Sequence, residues 1–154
     1  MIAMTKFEVS FNSPQCGFMS IGFSGSGGEF HTTTANLPYS GALSELITIL
    51  VGYLDGVSAP KTLKWNRDPE EFDFGFEPFG NELEIRIFEY PTGDRAADDK
   101  ELRFRHRGPL REVCISFLAT FRQLFEDRET DEFDFNWRQP FPERELSELE
   151  SRLT

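Results

Sequence analysis

The segment Glu70–Arg107 alternates apolar and charged side chains on both sides of a turn, and this pattern constrains the fold more than any other in the chain. Three phenylalanines at every second position precede Gly80-Asn81, and three aliphatic residues at every second position follow it. A period of two is typical of a strand with one buried face and one wet face. The pattern therefore predicts an antiparallel hairpin, which the alternating segment Glu101–Arg107 extends to three strands.

Side-chain parity also predicts which residues of these strands are buried. The inner face should bury Phe72, Phe74, Leu83, Ile85, Leu102 and Phe104, and His106 shares this parity. The outer face should be charged. In a simple meander, Glu82, Glu84 and Arg86 would lie opposite Arg103 and Arg105, and such pairs stabilise a register by about 0.2–1 kcal/mol each.

The rest of the chain supplies further strands and two helices. Alternating or threonine-rich segments predict strands at 7–11, 19–23 and 30–35. Apolar residues at three-four spacing predict one helix from a Ser40 cap to a Gly56 stop, and another from Gly108-Pro109 to Phe125. Val57–Pro69, which contains Trp65, is expected to be a connector.

These elements predict an α+β fold with a predominantly antiparallel sheet of about six strands. The order is βββαβββα plus a short C-terminal helix, with the two main helices packed on one face. A length of 154 residues fits one domain over residues 1–154. Residues 139–154 are expected to be a loosely docked helical tail. Because Glu-Phe-Asp-Phe occurs at 71–74 and again at 132–135, both segments are predicted strands.

Charge and cysteine content indicate which class of partner and which cellular compartment the composition favours. The chain holds 27 acidic and 16 basic residues, a formal charge of −11. This charge repels polyphosphate, so nucleic acid is disfavoured and a basic protein partner is favoured. Two cysteines build no disulfide framework, which indicates a reducing, cytoplasmic compartment. No apolar run has the length of a membrane anchor.

No residue pattern points to catalysis, to a metal or to a cofactor. The glycines of 22–28 lack the spacing of a phosphate-binding loop and are expected in a flexible hairpin loop. The histidines and cysteines lack the spacing of zinc ligands. Cys114 lies in the apolar stripe of the second helix, which predicts a buried, inert thiol. His106 has inward parity and is expected to be a core histidine.

The favoured hypothesis is a non-catalytic protein-binding module that recognises its partner through an acidic sheet face. The candidate binding residues are Trp65, Glu71, Asp73, Glu82, Glu84, Arg103 and Arg105. Small acidic immunity proteins share this size and charge, but that is an analogy of class without a supporting motif. One alternative is a small-molecule binder or enzyme with a Phe-lined pocket containing His106. Another is a homodimer formed through Leu146, Leu149 and Leu153.

Overall fold

The computed structural model describes residues 6–154, where seven strands and four α-helices are found. Residues 1–5, which belong to the predicted domain, lie outside the described residues. The strands are β1 (Glu8–Phe11), β2 (Phe18–Gly25), β3 (Gly28–Ala35), β4 (Lys61–Asn66), β5 (Glu71–Phe79), β6 (Glu82–Tyr90) and β7 (Glu101–Pro109). The helices are α1 (Ala42–Leu54), α2 (Leu110–Glu126), α3 (Phe133–Trp137) and α4 (Glu143–Leu153).

The predicted α+β class and the antiparallel pairing are confirmed. The strands form two sheets, one with the order β1-β2-β3 and one with the order β4-β5-β6-β7. All pairings within both sheets are antiparallel. Two sheets form instead of one because β3 does not pair with the second sheet and meets it through side chains. None of the helices within residues 6–154 is long and apolar enough to cross a membrane.

Strand β4 lies in the segment that was expected to be a connector. Leu63 and Trp65 are buried, while Thr62 before them and Lys64 between them are exposed. Leu63 pairs with Phe74, and Trp65 pairs with Phe72. The prediction was wrong because the alternation covers only a few residues and is flanked by lysines, which gives a weak strand signal.

The hairpin β5–β6 is as predicted, and β7 pairs with β6 to complete a meander. The turn falls at Gly80, whose φ of +61° is a left-handed conformation that glycine adopts without a steric penalty. The register of β7 departs from prediction at a bulge. Ile87 pairs with Phe104, whereas Phe88 pairs with Leu102, so one residue of β7 is unpaired. The bulge turns Leu102 to the outer face, where it is exposed rather than buried.

One hydrophobic core joins the two sheets and the helices. Rings from the first sheet contact rings from the second, as in the pairs Phe23–Phe104 at 5.5 Å and Phe30–Phe72 at 6.0 Å between centroids. Helix α2 adds Phe117, whose ring lies 5.7 Å from that of Phe7. Helix α1 packs against β4, and α2 packs against β1, β6 and β7. Aromatic pairs of this kind contribute about 0.5–1.5 kcal/mol beyond the area they bury.

Both main helices agree with their apolar spacing, although the cap of α1 differs. Gly41, not Ser40, is the N-cap residue, and it supplies no side-chain hydrogen bond. The predicted stop at Gly56 is present, with a φ of +99°. Helix α2 begins at Leu110 directly after Pro109 ends β7.

The strand predicted at 132–135 is wrong, because this segment leads into and forms α3. Phe133 and Trp137, four positions apart, are buried, whereas Phe135 between them is exposed. This spacing is the helical one, and five residues are too few for it to be told from alternation in the sequence.

The C-terminal helix α4 is docked on α1 and α2. Leu146, Leu149 and Leu153 are buried in the core of their own chain. Polar contacts hold the two ends of the helix, with Ser44 donating to Glu145 at 2.9 Å and Arg152 pairing with Asp55 at 2.8 Å. The three leucines therefore pack within the chain, and the predicted homodimer contact through them is not available on this surface.

We expect Leu149→Ala to lower the free energy of unfolding by about 2–5 kcal/mol, the usual effect of a large cavity in a packed core. The exposed neighbour Glu148 provides the control, and Glu148→Ala should change stability by less than about 0.5 kcal/mol. Equilibrium unfolding in urea measures both. Equal stability of Leu149→Ala and wild type would mean that α4 contributes no packing.

Candidate functional site

The outer face of the second sheet holds six of the seven predicted binding residues. Glu82 and Glu84 lie on β6, Arg103 and Arg105 on β7, and Glu71 and Asp73 on β5. Trp65 lies elsewhere, on the inner face of β4, with no exposed surface. Its indole N–H donates to the carbonyl of Ala35 at 2.9 Å. The placement of Trp65 beside an exposed acidic face was therefore wrong, because β4 is a paired strand and its parity turns the indole inward.

Arginines cover the carboxylates of this face. Glu84 is 1% exposed and lies between Arg86, 2.5 Å from its Oε1, and Arg105, 3.0 Å from its Oε2. Glu82 pairs with Arg107 at 2.9 Å. The directly opposed pairs are Glu82–Pro109, Glu84–Arg107 and Arg86–Arg105, so Arg86 is the one residue of the predicted three that faces Arg103 or Arg105. Since the guanidinium groups are the more exposed partners around Glu84, this face is not the acidic surface that the sequence predicts.

Glu71 and Asp73 are covered by a different arginine, Arg95, from the loop between β6 and β7. Arg95 pairs with Glu71 at 2.9 Å and with Asp73 at 2.5 Å. Tyr39 donates to Glu71 at 2.6 Å, and Tyr90 donates to Asp73 at 2.8 Å. Burial and, to a smaller extent, the hydrogen bond to Glu71 raise the pKa of Tyr39, so the phenol keeps its proton and remains a hydrogen-bond donor.

This Arg95 cluster, consisting of Arg95, Glu71, Asp73, Tyr39 and Tyr90, holds the loop against the sheet. Every charged member has an opposite charge or a hydroxyl within hydrogen-bond distance, and the guanidinium also donates to the carbonyl of Phe72 at 3.2 Å. No sequence signal marks the cluster, because its members come from four separate segments. A fully paired cluster of this kind is a structural clamp.

We expect Arg95→Met to lower the free energy of unfolding by about 3–5 kcal/mol, because it leaves the buried carboxylate of Glu71 and the partly buried carboxylate of Asp73 without their counter-ion. Arg103→Met is the matched control: its guanidinium is half-exposed, and loss of its pairs with Glu89 and Glu101 should cost less than about 1 kcal/mol. Thermal or urea unfolding distinguishes the two variants. Similar small losses in both would show that the cluster does not hold the loop.

His106 lies in the core, where the alternative hypothesis expects a ligand pocket. Its ring stacks on Phe7 with 4.8 Å between centroids. Nδ1 accepts a hydrogen bond from the backbone N–H of Ser26 at 3.3 Å, so the proton of the neutral ring is on Nε2. The surrounding phenylalanine rings pack against one another instead of lining an open pocket.

The glycine-rich run 22–28 belongs mostly to strands, and its turn packs against β7. Gly25 pairs with Gly28, which leaves Ser26 and Gly27 as a two-residue turn. A Cβ atom at Gly27 would lie 1.9 Å from the carbonyl oxygen of Arg105, so only glycine fits. These glycines permit close packing of two backbones, and the loop next to His106 is tight rather than open.

Burial lowers the pKa of His106, and we expect its NMR titration midpoint to lie below the ordinary value of about 6.5. The unfolded chain binds this proton at a higher pH than the folded chain does. The contribution of His106 should therefore lower the free energy of unfolding as the pH falls from about 6.5 towards the lower pKa of the folded state. The amide signal of Ser26 should follow the same midpoint. His31→Gln leaves His106 as the sole histidine and assigns its signal. A midpoint at or above the ordinary value would contradict a buried, neutral ring.

Three exposed apolar side chains surround a backbone junction at the start of β2. Phe135 is 79% exposed, Leu37 is 57% exposed and Phe18 is 43% exposed. The N–H of Gly17 donates to the carbonyl of Asn136 at 2.7 Å, and the N–H of Asn36 donates to the carbonyl of Gly17 at 2.9 Å. Each exposed side chain is the chain neighbour of one junction residue. We call Phe18, Leu37, Phe135 and the exposed Cys16 the junction surface.

Left-handed backbone is concentrated at the same junction. Five non-glycine residues of 6–154 have positive φ, and three of them are Cys16, Glu132 and Arg138. Glu132 and Arg138 are the residues that flank α3 at its two ends. Such conformations cost about 1–3 kcal/mol each and occur often where a protein binds a ligand or partner.

The most acidic stretch of the chain borders the junction surface. Exposed carboxylates from the end of α2 through α3 belong to Glu126, Glu129, Asp131, Glu132 and Asp134. The single basic side chain among them, Arg128, lies 3.7 Å from the centre of the Phe125 ring. We call 126–134 the acidic segment. The acidic segment meets the junction surface at Asp134, which directly precedes Phe135.

Two clefts flank the residues that follow α3. One, of about 770 Å³, is lined by residues including Cys16, Asp134 and Phe135, and the other, of about 400 Å³, lies between the N-terminal ends of α1 and α4. Gln139 and Pro140 line both clefts. Within residues 6–154, no three His, Cys, Asp or Glu side chains meet in an arrangement that could hold a metal ion.

Comparison of the chain with protein-family models, with curated proteins and with solved structures finds no match. A function for the protein is therefore inferred from the chemistry of the surfaces described above.

Proposed function

We propose that the protein is a non-catalytic binding module that recognises a basic protein partner through the junction surface and the acidic segment beside it. The observation that carries the proposal is the exposure of Phe135, which is 79% exposed on a helix flanked by two left-handed residues. An aromatic side chain of this exposure loses hydration when it is covered, and buried aromatic anchors dominate the energy of many interfaces.

The neighbouring apolar side chains support the same surface. Scattered single apolar residues are ordinary on a protein surface, but contiguous ones mark interaction sites. The hydrogen bonds of Gly17 join the three segments that carry Phe18, Leu37 and Phe135, at positions directly next to these residues in the chain. The three exposed side chains therefore come from one hydrogen-bonded region of the fold.

Charge supports a basic partner. The net charge of −11 gives long-range attraction, and the acidic segment places exposed carboxylates next to the apolar side chains. An apolar centre with a charged rim is the usual anatomy of a non-obligate interface. The same charge disfavours nucleic acid as a ligand. The charged sheet face fits the proposal less well, because its carboxylates are paired with arginines.

We also propose a cytoplasmic location. Both cysteines are free, with Cys16 exposed and Cys114 buried. An exposed thiol beside a binding surface is compatible with a reducing compartment, where thiols are kept reduced. The analogy with small acidic immunity proteins agrees with this charge and size and remains one of class.

The central experiment compares Phe135→Ser with Ile115→Ser, because Ile115 is an exposed apolar residue on α2, outside the junction surface. Each purified protein captures partners from a native lysate, the captured proteins are identified, and the affinity of a purified one is measured by calorimetry. We expect Phe135→Ser to weaken binding at least about 30-fold, the loss that corresponds to a hot spot of about 2 kcal/mol. Ile115→Ser should bind as wild type does.

Measurements of the salt dependence of binding and of thermal stability complete this test. Affinity for a basic partner should fall with added salt, since exposed charges are screened beyond about 8–10 Å at physiological ionic strength. Thermal unfolding of both variants should match that of wild type, because both residues are exposed. Equal capture by wild type and Phe135→Ser, with both folded, would overturn the proposed binding surface.

A further inference from the structure

The strap Arg138–Pro140 connects α3 to the loop before α4, and a cleft lies on each side of it. We call the cleft of about 770 Å³ next to Cys16 and Phe135 the junction cleft, and that of about 400 Å³ between α1 and α4 the helix cleft. The strap is held from one side, since Asp134 accepts a hydrogen bond from the N–H of Phe141 at 3.1 Å. Concave sites of this volume admit several side chains or a short stretch of peptide.

Building on the proposed function, we infer that the partner contributes an extended segment with an apolar residue between basic ones, which crosses the strap and places its apolar side chain in the junction cleft.

The lining of the junction cleft indicates an apolar residue flanked by positive charge. Phe135 and Pro140 provide apolar walls, and Cys16 adds a small, weakly polar one. Asp134 and Arg138 both line this cleft, so the lining itself is balanced in charge, and the negative excess comes from the exposed carboxylates of Asp131 and Glu132, which precede Asp134 in the acidic segment. A lysine or arginine beside the apolar residue would meet these carboxylates at the rim.

The lining of the helix cleft favours a partner segment with an extended backbone over a helical one. Gly41 gives α1 no side-chain cap, and Leu43 and Ser44 of its first turn line this cleft. First-turn N–H groups have no partner within their own helix and can donate to carbonyl groups outside it. An extended segment presents unpaired main-chain carbonyls, whereas the carbonyls of a helix are bonded internally. Glu143, Arg144 and Glu145 line the same cleft, and because Arg144 pairs with Glu145, Glu143 is the carboxylate left to favour a positive charge there.

The natural cysteines allow this inference to be tested without labelling mutations. Cys16 lines the junction cleft and is exposed, so a bound segment would shield it. Cys114 has no exposed surface, and burial raises its pKa to about 12, so it contributes little to alkylation of the folded protein. The rate at which iodoacetamide modifies the native chain therefore reports Cys16.

The probe is a short peptide with blocked ends that alternates lysine and leucine. At a concentration about ten times its dissociation constant, it should lower the alkylation rate of Cys16 about tenfold, because about one tenth of the protein remains free. A lysine–serine peptide tests the need for an apolar residue, and a glutamate–leucine peptide tests the charge. Neither should protect Cys16. Phe135→Ser should abolish protection by the lysine–leucine peptide, and Ile115→Ser should retain it.

Three results would overturn the inference: no protection by the lysine–leucine peptide, equal protection by either control peptide, or protection that persists in Phe135→Ser. Capture of a basic partner that depends on Phe135 but leaves the alkylation rate of Cys16 unchanged would also overturn it, while the proposed function would stand. Loss of Phe135-dependent capture would instead refute the proposed function, whatever the peptide does.

Discussion

The packing of Phe23 against aromatic rings from both sheets and from α2 is the interaction on which the rest of the structure depends. Its ring lies 5.5–6.4 Å from those of Phe7, Phe11, Phe74, Phe104 and Phe117. Because the two sheets share no backbone pairing in the described chain, side-chain contacts of this kind join them. Seventeen phenylalanines give such a core large, rigid surfaces with few torsions to freeze. The core leaves little room for a ligand between sheets and helices.

The fold also rearranges the charges. On the second sheet, Glu84 lies beneath Arg86 and Arg105, and the Arg95 cluster covers Glu71 and Asp73. Burial of these carboxylates is possible because each has a guanidinium partner, since an unpaired buried charge would cost several kcal/mol. The consequence is that much of the accessible negative charge near an apolar surface lies at the acidic segment. Composition alone shows the excess of acidic residues but not their location.

The junction surface combines features that a folding requirement alone does not explain. Phe135 is exposed on a helix of one turn that is bracketed by two left-handed residues. Its neighbours Phe133 and Trp137 are buried and fix the helix to the core. The rigid part of α3 therefore presents the exposed ring, so that little conformational entropy would be lost when a partner covers it. The same geometry places the acidic segment and the two clefts around one ring.

The sequence by itself determined the α+β class, the antiparallel hairpin β5–β6, the extent of α1 and α2, and the burial of Phe72, Phe74 and Cys114. These features follow from local periodicity, which acts within one strand or helix. Strand β4 and helix α3 were missed because each spans too few residues for its period to be distinguished.

Only the tertiary structure decided the separation into two sheets, the inward position of Trp65, the cover over Glu71 and Glu84, and the assembly of the junction surface. Arg95 meets Glu71 across 24 residues, and Gly17 meets Asn136 across more than a hundred. Contacts over such separations have no period and no motif, because they arise from how complete elements pack. The bulge opposite Phe88 could not be predicted either, although it is local. One unpaired residue of β7 was enough to turn Leu102 from the core to the surface.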